Sequence, residues 1–211
     1  LNLSLSVSFV IMSMDPENFE EVKSNFDSSG ELRPAKIAIV GRPNVGKSTI
    51  FNRLAGKKLA IVNDTPGVTR DVREVRSKLR GHSMVLMDTA GFENAKGHKI
   101  EAKMRAQTEL AVLDADIVLF VYDAREGVTP LDRNFAQYVR RSNKTTFLVA
   151  NKCESSAADA GITDGYSLGM GDPIEVAAEH NIGFGELDDA VELALRDVDL
   201  NIRDDNINYE E

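Results

Sequence analysis

Four short apolar runs constrain most tightly how this chain can fold. KIAIV (36–40), MVLM (84–87), IVLFVY (117–122) and TTFLVA (145–150) are nearly continuous rather than alternating, and each is too short for a buried helix. Continuous apolarity means that both faces of a strand are covered, which belongs to a largely parallel sheet with helices above and below it. PIEV (173–176) is a weaker run of the same kind. VREVRSKLR (72–80) differs: apolar and charged residues alternate, so one face meets water, and it is expected as an edge strand paired antiparallel with residues 83–87 across Gly81 and His82. Helices are expected over about 47–55, 99–113, 131–141 and 185–197. In the last of these Leu187, Ala190, Val191, Ala194 and Leu195 share one face, and Asp189, Glu192 and Arg196 the other. The expectation is an α/β fold with a six-stranded, mostly parallel sheet, one antiparallel edge strand and helices on both faces.

A length of 211 residues suits one such domain with loose ends. Residues 1–34 read as a flexible extension, 35–197 as the folded domain and 198–211 as an acidic tail without a helical apolar stripe. The opening LNLSLSVSFVIMSM has no basic segment before it and no small-residue cleavage site, so a frayed extension is expected rather than a signal peptide. No run approaches a membrane span. Lys+Arg number 25 against Asp+Glu 34, a net charge of -9, which argues against autonomous nucleic-acid binding because phosphate attraction needs a basic surface. The single Cys153 excludes an intrachain disulfide and a multi-cysteine metal site, which fits a reducing, cytoplasmic setting. His82, Lys96 and His98 read as solvated surface, and Cys153 as packing rather than a nucleophile.

GRPNVGKST (41–49) follows the first strand directly and satisfies G-x-x-x-x-G-K-S/T, with the potential helix STIFNRLA after it. This is the strand, loop and helix context that a phosphate cradle requires. Gly41 and Gly46 allow backbone N–H groups to turn inward along Arg42, Pro43, Asn44 and Val45, and the helix N-terminus at Ser48 and Thr49 adds partial positive charge. Lys47 reaches the β and γ phosphates, and the Ser48 hydroxyl is a magnesium ligand. DTAG supplies the other half: Asp88 ends an apolar strand where a carboxylate can hold magnesium through water, followed by Thr89, Ala90 and Gly91, whose N–H can approach the γ phosphate. Together these segments indicate a nucleoside triphosphate with magnesium. They do not choose the base, and a kinase acting on a small acceptor would share the loop.

NKCE (151–154) follows the buried run TTFLVA. A carboxylate at Glu154 can accept from the guanine N1–H and 2-amino groups, neither of which adenine presents, so Asn151, Lys152, Cys153 and Glu154 favour GTP and GDP. GRPNVGKS, DTAG and NKCE in that order resemble the translation-factor class of P-loop GTPases. AIVNDTPGVTRD (60–71), DADIVLFVYDAREGVTPLD (114–132) and YSLGMGDPIEV (166–176) make the chain most similar to the first G domain of the Der (EngA) family, tandem-G-domain GTPases of large ribosomal subunit assembly. The resemblance covers about residues 35–196. It implies a P-loop NTPase G domain that hydrolyses GTP as a switch, in a chain that is one part of a two-G-domain protein whose other domains contact the ribosome.

Carried over by position, Thr69 resembles the switch threonine that closes onto magnesium, and residues 63–71 and 92–98 resemble the two switches. Two departures matter. Glu154 stands where the family usually has aspartate, one methylene shorter, and Ala177 stands where it usually has serine in the loop behind the base. The Ala178 N–H is expected to reach the guanine O6. Phe92 follows DTAG at the place where some hydrolases keep a polar, water-orienting residue. The resemblance implies potassium instead, held partly by Asn44, with water oriented by backbone near Thr69 and Gly91. A nucleotide-dependent binding module with negligible turnover is the alternative, and would show nucleotide-dependent partner affinity without hydrolysis.

Overall fold

β1 (Ala35–Val40) lies inside a sheet ordered β2-β3-β1-β4-β5-β6, where β2 is Arg73–Leu79, β3 His82–Asp88, β4 Ile117–Asp123, β5 Thr145–Asn151 and β6 Ile174–Val176. The structure is a computed structural model that describes residues 33–56, 73–89 and 99–207, with 99–104 and 200–207 described as backbone only. Five helices occur among the described residues besides short 3-10 turns: α1 (Lys47–Ala55), α2 (Lys99–Asp114), α3 (Pro130–Arg141), α4 (Asp159–Gly165) and α5 (Phe184–Ile207). All strand pairs are parallel except β2 with β3, where Val75 faces Leu86 and the chain turns at Arg80 and Gly81. The expected edge strand is therefore present and antiparallel.

The continuous apolar runs are explained by two cores. Along β4, Ile117, Leu119 and Val121 face one layer, while Val118, Phe120 and Tyr122 face the other, all with no exposed surface. The first layer is closed by Ile50 and Phe51 of α1 and Leu187, Val191 and Leu195 of α5, the second by Val112 of α2 and Phe135 and Val139 of α3. Each such side chain contributes roughly 1.5–3 kcal/mol of hydrophobic transfer. α3 also has strong local signals. Thr129 caps it and accepts from the Asp132 amide, the Asp132 carboxylate accepts from the Thr129 amide, Pro130 opens the first turn, and Arg140 and Arg141 close the last.

The structure corrects three expectations, all at α5. The helix runs to Ile207, past the expected end at 197 and into the acidic segment. Glu192, expected on the solvent face, is buried because Arg80 from the β2–β3 turn and Arg196 one helical turn on reach its carboxylate, at 2.6 and 2.5 Å. His82, expected as solvated surface, is half-buried with Nδ1 2.8 Å from Asp199, a residue that only the longer helix brings over the hairpin. Residues 1–32 and 208–211, where the remaining extension and tail were expected, lie outside the described residues.

β1 and β3 are neighbours, and the connections that follow them run in opposite directions, from β1 to the edge strand β2 and from β3 across to β4. Ligands of open α/β sheets bind at the carboxyl end of such a switch point. The opposite end of β1 is anchored by a cross-link: Arg33 donates two hydrogen bonds to Asp116, at 2.7 and 2.8 Å, and the Lys36 amide donates a third at 2.8 Å. Burial pushes the Asp116 carboxyl up, but these donors more than offset it and hold it below its ordinary value. The resulting stability is fully present above the unfolded carboxyl pKa of about 3.9 and is lost as pH falls through the lower folded-state value. Asp116→Asn should cost about 1 kcal/mol at pH 7 in urea unfolding, and its deficit against the parent should shrink as pH is lowered below about 4.

Candidate functional site

The loop Gly41–Gly46 bridges the carboxyl end of β1 and the start of α1. Gly46 caps α1 in the left-handed conformation, φ 98°, with no side-chain cap, so the first-turn amides and the helix dipole favour an anion. Gly41 and Val45 are buried, Arg42, Pro43, Ser48 and Thr49 are half-buried, and Asn44 is exposed with φ 64°. Lys47 is 4% exposed and lays its Nζ across the loop, 2.8 Å from the Arg42 carbonyl. A buried lysine over a turn of inward amides suits a polyphosphate.

Asn151, at the end of β5, joins this loop to the far side of the site. Its Nδ2 donates to the Val45 carbonyl at 2.8 Å, and its Oδ1 accepts from the Ala178 amide at 3.0 Å. The Ala178 N–H, expected to meet the base directly, is thus held by Asn151, because the two ends of one amide face opposite loops. Ala177 and Ala178 are buried, and Ala177 forms a tight turn with Ile182 through hydrogen bonds in both directions, at 3.0 and 3.2 Å. Arg53 of α1 reaches the same turn, donating to the carbonyls of Ala178 and Glu179 at 3.1 and 2.9 Å.

Lys152 makes a second join. Its Nζ donates to the Asn44 carbonyl at 2.9 Å and to Asp123 Oδ2 at 2.5 Å. Asp123 ends β4 in register with Asn151, is 6% exposed, and accepts at Oδ1 from the amides of Arg125 and Glu126. Cys153 packs against the second core and donates from Sγ to the Ala150 carbonyl at 3.2 Å; burial pushes its thiol up to about 11, so it stays protonated near neutrality. Glu154 is exposed and lies 3.3 Å from Arg125 Nη1. On the phosphate side, Arg42 donates to Glu126 at 2.6 Å and to Asp132 at 3.2 Å, tying the loop to the cap of α3.

The structure therefore brings together the phosphate loop, NKCE and the Ala177–Ala178 turn. Asp88 ends β3 beside Ile39 of β1 and is 4% exposed, and Thr89 donates from Oγ1 to the Ile39 carbonyl at 3.0 Å. A hydroxyl at Ser48 and a carboxylate at Asp88 are the hard oxygen donors magnesium prefers. No group of three His, Cys, Asp or Glu side chains able to hold a metal occurs among the described residues. Thr69, Ala90, Gly91 and Phe92, with the rest of both expected switches, lie outside the described residues. Asp123, Arg125 and Arg42's partners Glu126 and Asp132 carried no role in the sequence analysis. Asp123 shared one signal with Asp88, an acid closing an apolar run.

Residues 36–152 match the family described as 50S ribosome-binding GTPase. The chain belongs to this 50S ribosome-binding GTPase family. Curated relatives include GTPase Der of Parvibaculum lavamentivorans, 56% identical over 74% of this chain, and GTPase Der of Hyphomonas neptunium, 52% identical over 77%. The chain spans about one third of the length of these relatives, 33% and 32%. Among solved structures, Aquifex aeolicus Era bound to GDP and aluminium fluoride superposes with a TM-score of 0.58 at 26% identity, covering 78% of this chain and 57% of that one. The G domain of FeoB from T. maritima shares the fold at a TM-score of 0.57, with 24% identity over 77% of this chain and 99% of that one. The mixed sheet with one antiparallel pair is that of a P-loop GTPase G domain.

Gly46 tests the join between the loops. A Cβ there would run into Asn151 Nδ2, whereas Gly81, at the same φ of 98° in the β2–β3 turn, faces open space. Gly81→Ala should cost about 1–2 kcal/mol of backbone strain and leave nucleotide affinity unchanged. Gly46→Ala should lose GDP affinity about tenfold or more in fluorescence titration, because Asn151 must move.

Proposed function

We propose that the chain binds GTP with magnesium and hydrolyses it to GDP and phosphate, using the exchange as a conformational switch in assembly of the large ribosomal subunit. The observation that carries this reading is the fastening of NKCE onto the phosphate loop through Asn151 and Lys152, which supports the reading of Glu154 as a base-reading carboxylate beside a polyphosphate cradle. A small-molecule kinase has no need of that carboxylate. Gly41 to Thr49 would hold the phosphates, with Lys47 on the β and γ groups, and Glu154 would accept from the guanine N1–H and 2-amino groups, with Ala177 and Ala178 behind the base. Magnesium held by Ser48, Thr69 and Asp88 would neutralise charge growing on the transferred phosphoryl group. Phe92 has no group to orient water, so that role falls to the backbone around Thr69 and Gly91, and a potassium ion beside exposed Asn44 would supply the remaining positive charge.

The partner is proposed to be the large ribosomal subunit or its assembly intermediates, contacted through other parts of a longer protein, with cytoplasmic localisation. The acidic balance of -9 supports no autonomous nucleic-acid binding by this part. No helix among the described residues is long and apolar enough to cross a membrane.

The test is GTP turnover by the purified chain in potassium chloride and in sodium chloride at equal ionic strength, with ATP as control. Potassium should raise GTP turnover about tenfold or more, Asn44→Ala should remove most of that rise, and ATP should not be hydrolysed. Equal, barely detectable GTP turnover in both salts would contradict the potassium mechanism and favour a switch module whose output is partner binding.

A further inference from the structure

Arg125 sits in the loop between β4 and α3, outside both the phosphate loop and the base loop. Its amide donates to Asp123 Oδ1 at 3.0 Å, so a buried carboxylate fixes where the residue leaves the strand. From that anchor the guanidinium spans to NKCE: Nη1 lies 3.3 Å from Glu154 Oε1, and Nε 3.9 Å from Asp123 Oδ1. Asp123 thus organises both arms, because its other oxygen holds Lys152 of the same motif.

This arrangement bears on a specific weakness of glutamate. Compared with aspartate, Glu154 has one more methylene and one more torsion to fix before its two oxygens can face a base, and a partly exposed carboxylate loses that freedom on binding. An ion pair formed beforehand removes part of the loss. Each carboxylate oxygen has two acceptor sites, so a guanidinium on Oε1 leaves room at Oε1 and Oε2 for two base donors.

We propose that Arg125 is a positioning residue for guanine recognition, holding the Glu154 carboxylate in place for the base. The proposal rests on the guanine reading given above. Because it acts through Glu154, it affects selectivity for the 2-amino group rather than phosphate binding or chemistry. It also explains how a glutamate can serve at a position where a methylene of misplacement is costly.

The experiment is displacement of a fluorescent GDP analogue from the full chain by GDP, IDP and ADP, for the parent, Arg125→Ala, Arg125→Lys, Glu154→Asp and the double variant R125A/E154D. IDP lacks the 2-amino group. Arg125→Ala should weaken GDP about fivefold, the scale of a partly exposed ion pair, and IDP distinctly less, so the preference for GDP over IDP narrows. Arg125→Lys should restore part of the loss. In the Glu154→Asp background, where the shorter side chain does not reach the guanidinium, removing Arg125 should change little. GDP binding by Arg125→Ala as tight as the parent's, or equal losses of GDP and IDP affinity, would overturn the proposal. A parent chain that does not prefer GDP to ADP would overturn it by a distinguishable route, by removing the guanine reading itself.

Discussion

The amide of Asn151 is the interaction on which the site depends. It donates to the Val45 carbonyl of the phosphate loop and accepts from the Ala178 amide of the turn after β6, two segments far apart in sequence. Asn151 is 3% exposed, so removing its side chain would leave a buried carbonyl and a buried amide without their partner, at about 1–3 kcal/mol each. Gly46 packs against the same amide, which is why a residue without Cβ is needed there for contact as well as for φ. A nucleotide that touches either loop meets a surface already set by the other.

The sheet places these loops together. Parallel strands β1, β3, β4 and β5 end on one side, and their last residues are Val40, Asp88, Asp123 and Asn151. The register sets Ile39 beside both Asp88 and Leu119, and Asp123 beside Asn151, so Asp123 and Asn151 close β4 and β5 four residues beyond the level of Asp88, and the phosphate loop leaves β1 in the step between them. Asp123 and Lys152 add a charge-assisted link at the rim, and Arg42 ties the loop outward to the cap of α3. Preorganisation of this kind places binding cost in folding rather than in ligand capture.

Most of this was legible in the sequence because its physics is local or periodic. Continuous apolar runs predict strands covered on both faces, the alternation in VREVRSKLR predicts a wet edge, and glycine spacing before Lys47 predicts a phosphate loop. What the sequence did not reveal is long-range side-chain pairing. Arg80 and His82 recruit Glu192 and Asp199 across more than a hundred residues, which buries an acid that helical periodicity places toward solvent and accompanies an α5 longer than its apolar stripe implies. Nothing in a linear reading shows that the Asn151 side chain reaches the Ala178 amide. Asp123 and Arg125 were passed over for the same reason: their roles exist only once β4 and β5 are side by side.

Amide hydrogen exchange of the nucleotide-free chain, compared with Asn151→Ala, tests this account most directly. If Asn151 joins the two loops, the Ala178 amide is protected in the parent, and the variant loses protection there and at the Ile50 amide, which bonds back to the Gly46 carbonyl of the phosphate loop, while β1 and β4 stay protected. Rapid exchange at Ala178 in the parent, or loss confined to one loop in the variant, would contradict it.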